Sequence, residues 1–253
     1  MKIERKAPEL TVKKSSDGSI RLNKYISNSG ICSRREADVM IESGAVSVNN
    51  KVVTTMGFKV QPGDIVKCDG HTITPEKRQY VLLNKPKNFT AVMDDPLNRR
   101  SVAQLMKGAC KEPVYPVGKM DRQTTGLLLF TNDGELSKKL NHPKQGVRTI
   151  YHITCKEKVK STHLQEMIQG VEIEGYFVRA DAVEYIGDGE NPHEIGMEIK
   201  SSRVKSVERL FAHFGYSITK MDRVVFAHLT KKDLPRGRFR HLTKEEVNYL
   251  KMI

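Results

Sequence analysis

The chain has 253 residues, which at about 150 residues per domain leaves room for one sizeable core and a small module. A composition of 38% hydrophobic and 29% charged residues with mean hydropathy −0.49 is that of a soluble globular protein. The apolar run from Gly126 to Phe130 is far shorter than the roughly 18 residues a membrane helix needs, which excludes a spanning protein. Lys and Arg number 43 against 30 Asp and Glu, a net charge of +13, so polyanions are the expected partners. A membrane surface is the weaker candidate, because no Lys-rich amphipathic helix carries aromatic anchors. Nucleic acid leads.

Residues 1–18 are polar, Lys-rich and patternless, and are read as a flexible basic arm. They contain no apolar run of the kind a secretion signal has, and the chain is read as cytoplasmic. Residues 19–68 carry compact order. Leu22, Tyr25 and Ile26 fall at helical spacing, with Gly30 as a stop. Ser33-Arg34-Arg35-Glu36 is a capping box that opens a second helix, continued by Ala37, Met40 and Ile41 and ended by Gly44. Val46 and Val48 alternate into Asn49-Asn50, whose tolerance of positive φ predicts a tight hairpin to Lys51-Val52-Val53. Pro62-Gly63-Asp64 predicts a further turn before a strand over 65–68.

The capping box places Arg34 and Arg35 beside backbone amides that already carry partial positive charge, at a cost of a few tenths of a kcal/mol, on the order of 0.3. A phosphate bound at that helix N-terminus would account for them. The whole module, with GICSRREAD, GAVSVNN and PGD, resembles the alpha-L RNA-binding domain of the ribosomal protein S-four type. The resemblance implies RNA binding through the second helix by Ser33, Arg34 and Arg35, with Asn23 and Lys24 as lesser candidates.

Residues 69–78 are polar and read as a linker, and residues 79–253 as the larger domain. Tyr80 to Asn84 predicts a short strand closed by Lys85-Pro86. Gly126 to Phe130 predicts a strand buried on both faces, followed by a turn at Asn132-Asp133-Gly134. Thr149, Tyr151, Ile153 and Cys155 alternate with their neighbours as in a half-buried strand, and so do Ile195, Met197 and Ile199. Leu164, Met167 and Ile168 mark a helix stopped by Gly170. Val204, Val207, Leu210, Phe211 and Phe214 give a helical face ending at Gly215. Thr243 to Glu246 is a second capping box, opening a C-terminal helix. Strands with interspersed helices and no strict βαβ alternation indicate an α+β class with a largely antiparallel sheet.

Cys32, Cys68, Cys110 and Cys155 lie far apart with no CxxC pair, and His142, His152 and His163 have no metal-ligand spacing. Reduced thiols, half of them core filler, and no metal are expected. No P-loop, GxGxxG or Ser-His-Asp order is present. The most informative stretch runs from Pro116 to Leu129, where Asp121 stands at the edge of a buried strand with Lys119 and Arg122 beside it. From the residues alone this is either a structural ion pair or a carboxylate kept ionised for chemistry.

VGKMDRQTTGLLLFTNDGEL resembles the signature of one family of ribosomal RNA pseudouridine synthases, the A type (small subunit) together with the B, E and F types (large subunit). YVLLNKP at 80–86, RTIYHITCK at 148–156 and the stretch 209–243 extend the likeness. The resemblance implies cleavage of a uridine's glycosidic bond, rotation of the uracil and rejoining through carbon 5, with no cofactor. It puts the catalytic aspartate at Asp121, the tyrosine that stacks on the flipped base at Tyr151, and the Lys-Pro motif at Lys85 and Pro86. Ribosomal RNA is the implied partner and the chain is expected to act as a monomer.

Two departures stand out. The family usually has arginine where this chain has Lys119, and an arginine that pairs with the catalytic aspartate where this chain has Glu208. A carboxylate facing Asp121 is expected to raise its pKa, with Lys205 or Arg209 leaning across to compensate. Lys85, Pro86, Lys119, Arg122, Lys205 and Arg209 are therefore the residues expected to meet substrate or RNA in the larger domain. The competing reading is a catalytically silent rRNA-binding or assembly factor of the same fold.

Overall fold

The computed structural model describes residues 18–95, 97, 99–142, 146–200 and 205–253, and the expected basic arm lies, up to residue 17, outside them. The chain divides into two compact units, residues 1–77 and 78–253. Among the described residues no helix is long and apolar enough to cross a membrane.

The first unit contains β1 (Ile20–Arg21), α1 (Leu22–Ser27), α2 (Arg34–Glu42), β2 (Val46–Val48), β3 (Lys51–Val52), β4 (Lys59–Val60), β5 (Val66–Cys68) and β6 (His71–Ile73). Leu22 and Ile26 of α1 and Ala37 and Ile41 of α2 bury the faces their spacing sets, against Val46, Val48, Val66 and Cys68. Val48 pairs with Lys51, so Asn49 and Asn50 form a two-residue turn, at φ 51° and 62°. Both values lie in the left-handed region that Asn tolerates.

The linker expected over 69–78 is corrected here. Cys68 pairs with His71, and Asp69-Gly70, at φ 48° and 82°, make a second two-residue turn. β6 therefore completes the sheet β3-β2-β5-β6, and Ile73 is buried. Glu76 N–H donates to Asn28 C=O at 2.7 Å, which ties the following residues to the same unit. The larger unit begins at Arg78, whose guanidinium pairs with Asp133 at 3.0 Å.

That unit contains β7 (Tyr80–Lys85), α3 (Val102–Leu105), β8 (Tyr115–Pro116), β9 (Thr125–Thr131), α4 (Gly134–Leu140), β10 (Thr149–Cys155), α5 (Ser161–Gln169), β11 (Val171–Ile173) and β12 (Tyr176–Val178). It continues with β13 (Ala182–Tyr185), β14 (Glu194–Ile199), α6 (Ser206–His213), β15 (Ile218–Phe226), β16 (Leu229–Thr230), β17 (Phe239–His241) and α7 (Lys244–Met252). The turn expected at Asn132-Asp133-Gly134 is instead a helix start, because the Asp133 carboxylate accepts from Leu136 N–H and caps α4.

The main sheet has the order β13-β14-β10-β15-β9-β7-β17, with β16 on β15 and β8 on β9. All its pairings are antiparallel except β9 with β15, where Thr125 lies beside Asp222 and Gly126 beside Arg223. Two antiparallel halves thus meet at one short parallel seam. The all-apolar run of β9 reflects burial on both faces. Leu127 and Leu129 pack with Tyr80, Leu82, Leu140 and Leu250, whereas Leu128 and Phe130 pack with Val81, Leu83, Val102 and Met106. Each such side chain contributes about 1.5–3 kcal/mol by leaving water. In the other half, Ile153 and Cys155 of β10 and Met197 and Ile199 of β14 pack under Leu164, Met167, Leu210 and Phe211 of α5 and α6.

Candidate active site

At the seam, Gly126 adopts φ +101° so that β9 can lie against β15. A Cβ there would sit 2.2 Å from Arg223 C=O and 2.7 Å from the Asp222 carboxylate. Asp222 is the anchor of the junction. It accepts from Thr125 Oγ1 at 2.8 Å and from Arg236 at 3.0 and 3.2 Å, and it pairs with Lys231. Burial pushes its carboxyl up, but the bonds from Arg236, Lys231 and Thr125 outweigh this and hold it at about 2.

On the edge of this seam opens a cavity of about 440 Å³, within the range of small-molecule sites. The β8–β9 loop contributes Lys119, Asp121 and Thr124, β10 contributes Thr149 and Tyr151, and β15 contributes Met221, Arg223 and Phe226. The N-terminal end of α6 adds Lys205, Ser206, Val207 and Glu208. The Asp121 side chain is 43% exposed and has Lys205 Nζ at 3.9 Å from Oδ2.

Arg223 carries no distinguishing signal in the sequence, yet it is the buried cation lining the cavity. It is 5% exposed, lies opposite Tyr151 in the β10–β15 register, and stacks 4.5 Å from the Phe226 ring centroid. Its Nε donates to Leu127 C=O at 2.6 Å. Burial lowers its pKa, opposed by Tyr151, and Nη2 has no partner among the described residues. A buried donor left so costs about 1–3 kcal/mol, which an acceptor on a ligand would recover.

Other expected residues part company. Lys85 is fully buried, and its Nζ donates to the carbonyls of Phe89 at 3.0 Å, Pro86 at 3.3 Å and Arg122 at 3.4 Å. Burial, then the Arg223 charge, brings its ammonium down to about 8, against the pull of Asp121. Arg122 is not among the residues lining the cavity; its Nε donates to Asn88 C=O at 3.2 Å while Asn88 N–H donates to the Arg122 carbonyl at 2.9 Å. Lys85, Pro86 and Arg122 therefore brace the loop that carries Asp121 and do not line the cavity.

The expected pairing of Lys205 and Arg209 also divides. Lys205 is the α6 N-cap at φ 62°, off the helical line, and faces Asp121, whereas Arg209 reaches Glu174 in the β11–β12 turn at 3.1 Å. Arg203 and Val204 lie outside the described residues. Glu208 lines the same cavity as Asp121. Burial raises its pKa most, the Asp121 charge adds to that, and Lys205 opposes.

Residues 79–223 match the family model for RNA pseudouridylate synthase, and residues 20–66 match the S4 domain. The chain belongs to the RNA pseudouridylate synthase family. It is 34% identical over 234 residues to an uncharacterized RNA pseudouridine synthase of Aquifex aeolicus, covering 91% of this chain and 93% of that one. It is 34% identical over 235 residues to ribosomal large subunit pseudouridine synthase B of Bacillus subtilis, covering 92% and 96%. A crystal structure of a pseudouridylate synthase superposes with a TM-score of 0.63 at 26% identity, over 91% of this chain and 99% of that one.

In this synthase the S4 unit presents the expected RNA-binding residues on its surface. Ser33 accepts from Glu36 N–H while Glu36 accepts from Ser33 N–H, so the capping box closes and frees Arg34 and Arg35 from any structural duty there. Both arginines are exposed, and Arg34 donates to Asn23 Oδ1 at 3.4 Å. Asn23 in turn donates to Asp38 at 2.8 Å.

Proposed function

We propose that this chain isomerises a uridine of ribosomal RNA to pseudouridine, with Asp121 as the carboxylate that acts on the sugar. The observation that carries the reading is the cavity itself, in which Asp121, Tyr151, Lys205 and the buried Arg223 converge at the seam of the sheet. A base inside an RNA stack is out of reach, so the nucleotide is extruded into the cavity, and the Tyr151 ring replaces part of the lost stacking. The unpartnered Arg223 Nη2 suits a uracil carbonyl oxygen.

The Asp121 carboxylate then either bonds to C1′ as the N1–C1′ pair leaves with uracil, or takes the C2′ proton as that bond breaks. The uracil turns and C5 bonds to C1′, as the Asp121–C1′ bond breaks in the first route or as Asp121 returns the proton to C2′ in the second; the C5 proton passes to solvent and N1 gains a proton. Reactant and product are isomers, and no group beyond the chain and its RNA enters the balance. Tritium release from 5-labelled uridine in ribosomal RNA measures this reaction directly. Release with the intact chain and none without it is expected; no release on any ribosomal RNA would overturn the reading.

The S4 unit supplies affinity through phosphate. Replacing Arg34 and Arg35 by alanine together is expected to weaken RNA binding and to flatten its salt dependence by about 2 units of log–log slope, one per lost contact. Helix α2 survives the change, since Ser33 and Glu36 make its cap. A filter-binding titration with an unchanged slope would remove these arginines from the interface.

A further inference from the structure

We infer that the larger unit binds RNA on the surface at the end of β7, where Lys87, Arg236 and Arg238 meet phosphates of the strand flanking the extruded uridine. The inference rests on the isomerase reading of the cavity and adds a second phosphate-binding surface to that of the S4 unit.

Three loops are tied together at this strand end. Asn84 is 4% exposed and clamps residues 234–238. Its N–H donates to Arg238 C=O at 3.0 Å, its Nδ2 donates to Leu234 C=O at 2.8 Å, and its own carbonyl accepts from Gly237 N–H at 2.7 Å. Lys87 follows shortly after Asn84 on the next loop. Asn88 N–H then donates to the carbonyl of Arg122, the residue after Asp121, at 2.9 Å. The cations of residues 86–89 and 234–238 are thereby held beside the loop that carries the candidate catalytic carboxylate.

The charge at this place is not compensated. Residues 231–240 hold five cations and one carboxylate, Asp233. Arg240 is taken up by Glu246 at 2.7 Å. Lys231 and Arg236 both pair with Asp222, so one carboxylate meets two cations and a positive charge is left over. The Asp222 side chain is 16% exposed against 43% for Arg236, so a largely buried anion fixes an accessible guanidinium. Asp222 engages one N–H on each of Nη1 and Nη2, which leaves three donors of the planar fork for a second anion. Lys87 and Arg238 are exposed, and their side chains make no hydrogen bond or ion pair among the described residues. An RNA strand supplies phosphates in a row, and each cation that meets one releases a counterion.

The test uses the full chain and ribosomal RNA in filter-binding titrations across a salt series. The double variant Lys87→Gln with Arg238→Gln is expected to flatten the log–log slope by about 2 units, and adding Arg236→Gln by about 3. A control with Lys156→Gln and Lys158→Gln, past the far end of β10, loses the same charge and should stay within about 0.5 units of the parent. The double variant leaves the Asn84 clamp and the Asp222 pairs in place, so its result does not depend on how the triple variant folds. In tritium release it should raise KM in step with Kd and leave kcat within about twofold of the parent. A parent slope in the double variant, equal flattening in the control, or a fall in kcat with KM unchanged overturns the inference. A triple variant no flatter than the double overturns the presentation of Arg236 by Asp222. A flattened slope in a chain that isomerises no uridine rejects the isomerase reading and leaves the RNA surface standing.

Discussion

Asp121→Asn is expected to cut pseudouridine formation by about a thousandfold or more while leaving RNA affinity close to that of the parent. Asparagine matches the carboxylate in size, so Lys205, Glu208 and the cavity wall keep their places. It neither attacks C1′ nor accepts the C2′ proton. Affinity comes mainly from cations meeting phosphates, and no lysine or arginine is removed. Tritium release and filter binding on one preparation separate the two effects. Normal release from the variant would take Asp121 out of the chemistry.

The second large effect is on the scaffold. Gly126→Ala is expected to destabilise the larger unit by about 3 kcal/mol or more, because it combines a positive φ for a residue with a Cβ and an overpacked contact. The clash is with the Arg223 backbone, at 2.2 Å from its carbonyl oxygen and 2.6 Å from its nitrogen, and neither atom is free to move within the β9–β15 pairing. For a unit of this size the loss corresponds to a melting temperature lower by about 6–12 °C. Activity should fall further than stability, since Arg223 and the Asp121 loop both hang on this seam. A melting temperature within a degree or so, about 1 °C, of the parent would show that the seam relaxes at little cost.

Much of this architecture is legible in the sequence where one signal acts alone. The two capping boxes, the Asn49-Asn50 hairpin and the doubly buried run of β9 appear where the residues put them. Asp69-Gly70 carries the same positive-φ turn signal, but the polar residues after it read as a linker, because β6 has only Ile73 facing inward. β15 is harder to read for a physical reason. Its inward positions include Met221, Arg223 and Phe226, and a buried arginine among them breaks the apolar alternation that marks a strand.

The site follows the same pattern. Asp121 and Tyr151 were visible through the likeness of the motifs around them, and the structure brings both to one cavity. Arg223 gives no local signal, since a cation that serves a cavity and one that serves solvent look alike in sequence. Lys205 and Arg209 are four apart and on a continuous helix would share a face. The left-handed N-cap conformation of Lys205 breaks that rule and sends the two side chains to different carboxylates. Lys85 illustrates the opposite limit, because its place in a motif marks importance while its burial gives it a bracing task.

Mapping pseudouridines along the ribosomal RNA of a strain lacking this chain tests the central claim most directly. The account predicts that at least one uridine isomerised in the parent is unmodified in the deletion strain. It also predicts that the parent chain restores the modification and that Asp121→Asn does not. An unchanged pseudouridine map would contradict it, and would make the chain an RNA-binding protein on a synthase fold.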